Sequence, residues 1–192
     1  MLHLLSQIKN CKACEQHLVG GVNPVVEASI QSKIVIVGQA PGRIVHNSGI
    51  PWNDKSGDNL RAWLGVDNPT FYNTDLFAVI PMGFCYPGTG KSGDLPPRPE
   101  CAPLWHRQLL DKMPHVEVML LVGQYAQNYY LGASVKNTLT ETVRHYQEYL
   151  PKIFPLPHPS PRNNIWQAKN QWFSREVLPE LKIITKSIIS NS

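Results

Sequence analysis

The chain has no apolar run long enough to cross a membrane, no low-complexity segment and no internal repeat. These absences argue against a helical membrane protein, a disordered tract and a solenoid. Its start, Met1-Leu-His-Leu-Leu, has neither a basic region nor a small-residue cleavage site, so no leader is expected and the expected address is the cytoplasm. Cysteine is scarce: four among 192 residues. In a cytosolic protein so few thiols are not expected to form stable disulfides. Charge of one sign is scarce as well. The formal net charge is +4, a mild excess compatible with a nucleic-acid partner but shared by many proteins without one. What is present, 42% hydrophobic and 17% charged residues, suits a single compact domain over residues 1–192 with a substantial core.

Proline is plentiful, with seventeen residues, eleven of them clustered over 81–103 and 151–161. Such stretches are excluded from central strands and helix interiors, so both read as loops, where sites concentrate. Between them the apolar pattern alternates. Lys33–Val37 reads as a buried strand running into a glycine turn, Leu76–Ile80 as a strand stopped by Pro81, Val116–Val122 as a third and Lys152–Leu156 as a fourth. Gly57–Leu64, Glu100–Met113 (through Leu104, Leu109 and Leu110) and Gln124–Leu131 carry helical spacing. Trp166–Ile189 reads as a long amphipathic helix interrupted near Pro179. Strands alternating with helices predict one three-layer α/β/α domain with a central four-stranded parallel sheet. Ligands in such folds sit beyond the carboxyl ends of the strands, which here places the loops after Val37 and Leu156 together.

The cysteines form a C-x2-C pair, Cys11 and Cys14, and two distant residues, Cys85 and Cys101. Spacing alone admits a [4Fe–4S] cluster on four thiolates, tetrahedral zinc on the same four, or four unconnected buried thiols. A thioredoxin-type redox pair is excluded, because no strand precedes Cys11. Gly88-Thr-Gly-Lys-Ser imitates the end of a phosphate-binding loop, but Cys85 stands where that motif needs glycine, and the prolines that follow forbid its helix.

Two short motifs carry more. Gly38, Gln39, Ala40, Pro41 and Gly42 follow the first strand, and His158-Pro-Ser-Pro follows the last. Together they resemble the uracil-DNA glycosylase superfamily, with its G-[QED]-x-P turn and H-P-S segment in that order. The iron–sulfur branch, family 4, is the most similar: it has an early C-x2-C and a later pair of cysteines about fifteen residues apart, as between Cys85 and Cys101. Its G-E-A-P-G followed by G-x-P-F-x-G-x-x-G looks like Gly38–Gly42 followed by Gly49–Gly57. The likeness spans residues 11–175 and implies a [4Fe–4S] cluster on Cys11, Cys14, Cys85 and Cys101 that ties the segment 1–32 into the domain, with zinc as the alternative metal. It implies a DNA partner and a monofunctional glycosylase that hydrolyses the N-glycosidic bond of a flipped-out base, uracil before other deaminated bases, acting as a monomer and away from membranes. His158 would donate to the departing base, Trp52 would stack on it, the Gly38–Gly42 turn would bind base or phosphate, Ser160 would contact phosphate and Arg162 would wedge into the duplex.

This chain departs from the pattern at its first loop. Where family 4 has glutamate it has Gln39, and where another branch has aspartate it has Ala40. An amide orients water but cannot take its proton. The expectation is therefore dissociation ahead of water attack with Gln39 positioning the water. Asp54 is the next candidate, and His46 is read as a surface loop residue. The family's base-reading asparagine is missing from Leu76–Cys85, and Gly42 is expected to leave room for larger bases. The loop after the third cysteine has Lys91 and Arg98 but none of the histidine of the cross-linking branch. The absent acid also supports a different class of function, a catalytically weak or inactive DNA-damage-binding protein of the same fold.

Overall fold

The computed structural model describes residues 1–91 and 93–190. Four strands make the main sheet: β1 (Ile34–Val37), β2 (Phe77–Val79), β5 (Val118–Val122) and β6 (Ile153–Leu156), in the order β2-β1-β5-β6 and all parallel. A second, two-stranded antiparallel sheet pairs β3 (Thr89–Gly90) with β4 (Gly93–Asp94). Its first strand is Thr89–Gly90 of the phosphate-loop look-alike, whose Ser92 lies outside the described residues. No helix follows it, as its prolines require.

The strands are apolar on both faces because both faces are covered. Ile34 and Ile36 of β1 turn to one core with Val118, Leu120, Phe154 and Leu156. Val35 and Val37 turn to the other with Ala78 and Leu121. Helices α3 (Lys55–Leu64), α7 (Leu139–Arg144), α8 (Asn164–Lys169) and α9 (Leu178–Ser190) cover the first face; α1 (Leu2–Lys9), α5 (Arg107–Leu110) and α6 (Gln124–Leu131) cover the second. The short helices α2 (Arg43–Ser48) and α4 (Asn68–Phe71) bracket α3 in sequence. The three-layer expectation holds. The N-terminal segment is anchored by ordinary packing too, since Leu4 and Ile8 of α1 are buried in the second core. No helix among the described residues is long and apolar enough to cross a membrane.

Two helical expectations need correction. The stretch 100–113 opens with a π-helical turn, Ala102–His106, before α5, and its buried face is Ala102, His106, Leu109 and Met113. Leu104, expected inside, is 42% exposed. The tail breaks at Asn170, not at Pro179. Asn170 caps α8 by donating Nδ2 to the Trp166 carbonyl and accepts from Trp172 Nε1. Pro179 lies in the first turn of α9, directly after a wide π-helical turn (Phe173–Val177) that makes room for its ring.

Both outer strands are modified. Outside β2, Glu27 forms an antiparallel bridge to Val79 with backbone bonds of 3.0 and 2.7 Å in the two directions. On β6, the carbonyls of Lys152 and Leu156 accept from β5, so by the two-residue period the nitrogen of Pro155 faces away from the sheet. Since β1 and β6 run parallel, their carboxyl ends deliver the Gly38 and His158 loops to the same side.

Candidate active site

A cleft of about 780 Å³ opens at that side. It is lined by Gly38, Gln39, Ala40, Pro41, Gly42, Trp52, Asp54, His158, Ser160 and Arg162, the ten non-cysteine residues expected from the sequence. The first loop is fixed from behind: the carbonyls of Gly38 and Gln39 accept from the amides of Met82 and Gly83 at 2.8 and 3.0 Å. This bond pattern continues the β1–β2 pairing past the strand ends and turns Ala40–Gly42 outward.

Trp52 is set by glycines and an arginine. Its φ of 55° lies in the left-handed region, costly for an aromatic residue. A Cβ on Gly57 would fall 1.7 Å from the Trp52 carbonyl oxygen, and one on Gly38 would fall 2.9 Å from the indole ring. Arg61, buried on α3, donates to the Trp52 carbonyl at 3.2 Å while held by Asp58 at 2.7 Å and lying over the Phe71 and Tyr72 rings. The indole is half-buried and stands 5.8 Å from the His158 ring, tilted by 38°.

His158 is the best-defined polar group. Ser160 donates its backbone N–H to His158 Nδ1 at 3.2 Å, and Asn163 Nδ2 holds the His158 carbonyl at 2.7 Å. With Nδ1 accepting, a neutral ring carries its proton on Nε2 and offers it as a donor. Burial holds the imidazole below its usual pKa, and the charges of Asp54 and Asp94 act in the opposite direction. Asn59 of α3 donates to the Pro159 carbonyl at 2.8 Å and locks the loop to the helix that supports Trp52.

Several expected residues have local duties. Asp54 caps α3, its Oδ1 accepting from Gly57 N at 2.8 Å. Ser160 Oγ accepts from Arg162 N, a small cap at the start of the turn Pro161–Asn163. His46 does not line the cleft; its Nε2 meets the Gly20 carbonyl at 3.1 Å and its ring packs on Tyr86. It meets the N-terminal segment from helix α2, half-buried, and so is not the surface loop residue expected. The room expected beside Gly42 is partly filled: Asp94 Oδ2 lies 3.4 Å from where a Cβ on Gly42 would stand. Asp94 comes from β4, and neither it nor Tyr86, which lines the same cleft, is marked by any motif, while Thr89, also in the lining, belongs to the phosphate-loop look-alike.

The four cysteines are gathered at one place. The ionisation of Cys85 and of Cys101 is opposed by the charges of Cys11 and Cys14, and Cys14 hydrogen-bonds Cys101. None is in a disulfide. Burial pushes Cys85 up to about 11 and Cys101 up to about 12, with the neighbouring thiolates adding to it. Crowded, buried thiols of this kind are poor anions unless a cation compensates them. No group of three or more His, Cys, Asp or Glu among the described residues is arranged to hold a metal ion.

Against known families, a model described as the Uracil DNA glycosylase superfamily matches residues 25–182. That span includes both site loops, the hairpin, Cys85 and Cys101, and begins after Cys11 and Cys14.

Proposed function

The chain belongs to the uracil DNA glycosylase superfamily, and from that premise we propose that it hydrolyses the N-glycosidic bond of a deaminated base in DNA, uracil first among them. The observation that carries this reading is the hydrogen bond from the Ser160 backbone to His158 Nδ1. The ring's Nδ1 is occupied by a backbone N–H, so Nε2–H points a neutral donor at the cleft beside an aromatic face. Excision leaves the bonding electron pair on the base. A fixed donor at the base carbonyl stabilises that charge as it forms, and Trp52 offers the surface on which the flipped base rests. No lysine lines the cleft among the described residues, which favours water over an amine as nucleophile, hence a monofunctional enzyme. Arg162 and Arg43 line the rim and suit phosphate contact or entry into the duplex.

The same reading gives Cys11, Cys14, Cys85 and Cys101 to a [4Fe–4S] cluster. Three buried thiols, Cys14, Cys85 and Cys101, with the half-buried Cys11 near them and no disulfide among the four, support a cationic occupant. Zinc on the same four cysteines is the alternative. The cluster supplies a fixed joint between the N-terminal segment and the 85–101 loop.

Incubation with single- and double-stranded oligonucleotides containing uracil, hypoxanthine or xanthine, followed by alkali, tests the activity. Scission is expected, with His158→Ala lowering its rate about 10²- to 10³-fold and leaving DNA affinity within a factor of a few. Binding without scission on every substrate would overturn the enzyme and leave a damage-binding protein.

A further inference from the structure

The first loop lacks an acid, and the hairpin supplies one. Asp94 lies on β4, 52 residues beyond Gly42 in sequence, yet its Oδ2 stands 3.4 Å from the Cβ position of Gly42 and its carboxylate lines the cleft that holds His158. The hairpin is held from two sides. Gln39 Nε2 donates to the Leu95 carbonyl at 3.4 Å, and the Arg162 guanidinium lies 3.3 Å from the Cβ position of Gly93. Leu95 N closes the hairpin on the Gly88 carbonyl at 2.8 Å, and the Tyr86 and Thr89 hydroxyls are bonded to each other at its base. So Gln39, where the family has an acid, spends its amide on the segment that carries one.

We propose that Asp94 accepts the proton of the attacking water, in place of the missing carboxylate of the first loop. The assignment rests on the glycosylase reading above. Asp54 is the competing carboxylate, but one of its oxygens is committed to capping α3. The Asp94 carboxylate has no hydrogen bond or ion pair of that kind among the described residues, and it shares the cleft with His158, Asp54, Arg43 and Arg162. The step balances. The C1′–N bond breaks and its electron pair leaves with the base, held by His158 Nε2–H. The water oxygen bonds C1′, one water proton passes to Asp94, and from there it returns through solvent to the base anion. The products are a C1′-hydroxyl abasic site and the neutral free base. Before water arrives, the carboxylate also faces the cationic sugar and lowers its energy.

Asp94→Asn keeps the shape and removes the charge. Single-turnover excision of uracil by excess protein is expected to fall about 10²-fold, with DNA affinity measured by anisotropy unchanged or slightly tighter. The acid limb of the wild-type pH–rate profile is expected to vanish in Asp94→Asn, and Asp94→Glu is expected to recover part of the rate. Asp54→Asn, which still caps the helix, is expected to lose less rate than Asp94→Asn. A competent wild type whose Asp94→Asn variant keeps its rate and its acid limb overturns this assignment alone, and a loss confined to Asp54→Asn transfers the role to Asp54. A wild type that excises nothing overturns the glycosylase reading, and this assignment falls with it.

Discussion

Trp52 pays for its position in backbone energy: a left-handed φ at a bulky residue costs on the order of 1–3 kcal/mol. What offsets this is distributed over three other residues, the bare faces of Gly38 and Gly57 and the guanidinium of Arg61. Gly57 is the least replaceable, since any Cβ there collides with the Trp52 carbonyl itself. Gly57→Ala is expected to cost about 3 kcal/mol or more, read as a lower urea midpoint, and to expel Trp52 from the cleft wall. At this scale the sequence was informative wherever a motif surrounded the residue. His158, Trp52 and the Gly38–Gly42 turn all meet at one cleft. Asp94 was illegible because nothing local marks it: it sits in a Gly/Pro loop that imitates a phosphate site, and only the folding of the hairpin over Gly42 gives it a role.

Among the elements, the π-helical turn Ala102–His106 shows why periodicity alone misreads a face. Counting leucines selects Leu104, whereas the fold buries His106, 1% exposed, because its ring has partners: Tyr130 of α6 at Nδ1, 2.6 Å, and the Pro81 carbonyl at Nε2, 3.0 Å. Burial lowers its pKa to about 4, only partly countered by the Pro81 bond. The unfolded ring titrates near 6.5, so the folded state binds fewer protons between these values. Stability is therefore full above about pH 6.5 and falls as the pH drops towards 4, by up to about 3 kcal/mol. Urea midpoints measured from pH 7.5 to 4.5 are expected to show that slope, and His106→Gln to flatten it. The tail illustrates the opposite error: Pro179 is a legible breaker, but the preceding π-helical turn absorbs it and the true stop is Asn170, whose side chain completes the cap. The four strands of the main sheet, each short, apolar and bounded by glycine or proline, were readable almost to the residue, whereas the hairpin strands β3 and β4 were not.

For the whole molecule, the cysteines lie on parts that the sheet does not link. Cys11 and Cys14 follow α1, and Cys85 and Cys101 bracket the hairpin that brings Asp94 to the cleft. Cys85→Ser is expected to abolish the brown colour of an iron–sulfur cluster, to lower the thermal midpoint by about 5 °C or more, and to slow excision by freeing the hairpin. A colourless wild type, or a variant with unchanged colour and midpoint, would separate the thiols from any metal. The four-stranded sheet is closed to addition by different means at its two margins. Glu27 has already taken the outward backbone groups of Val79, and Pro155 points a nitrogen without hydrogen from β6. On a DNA lattice that concentrates these chains side by side, each margin of the main sheet thus sets an obstacle before a neighbour's added strand, which disfavours fibril growth.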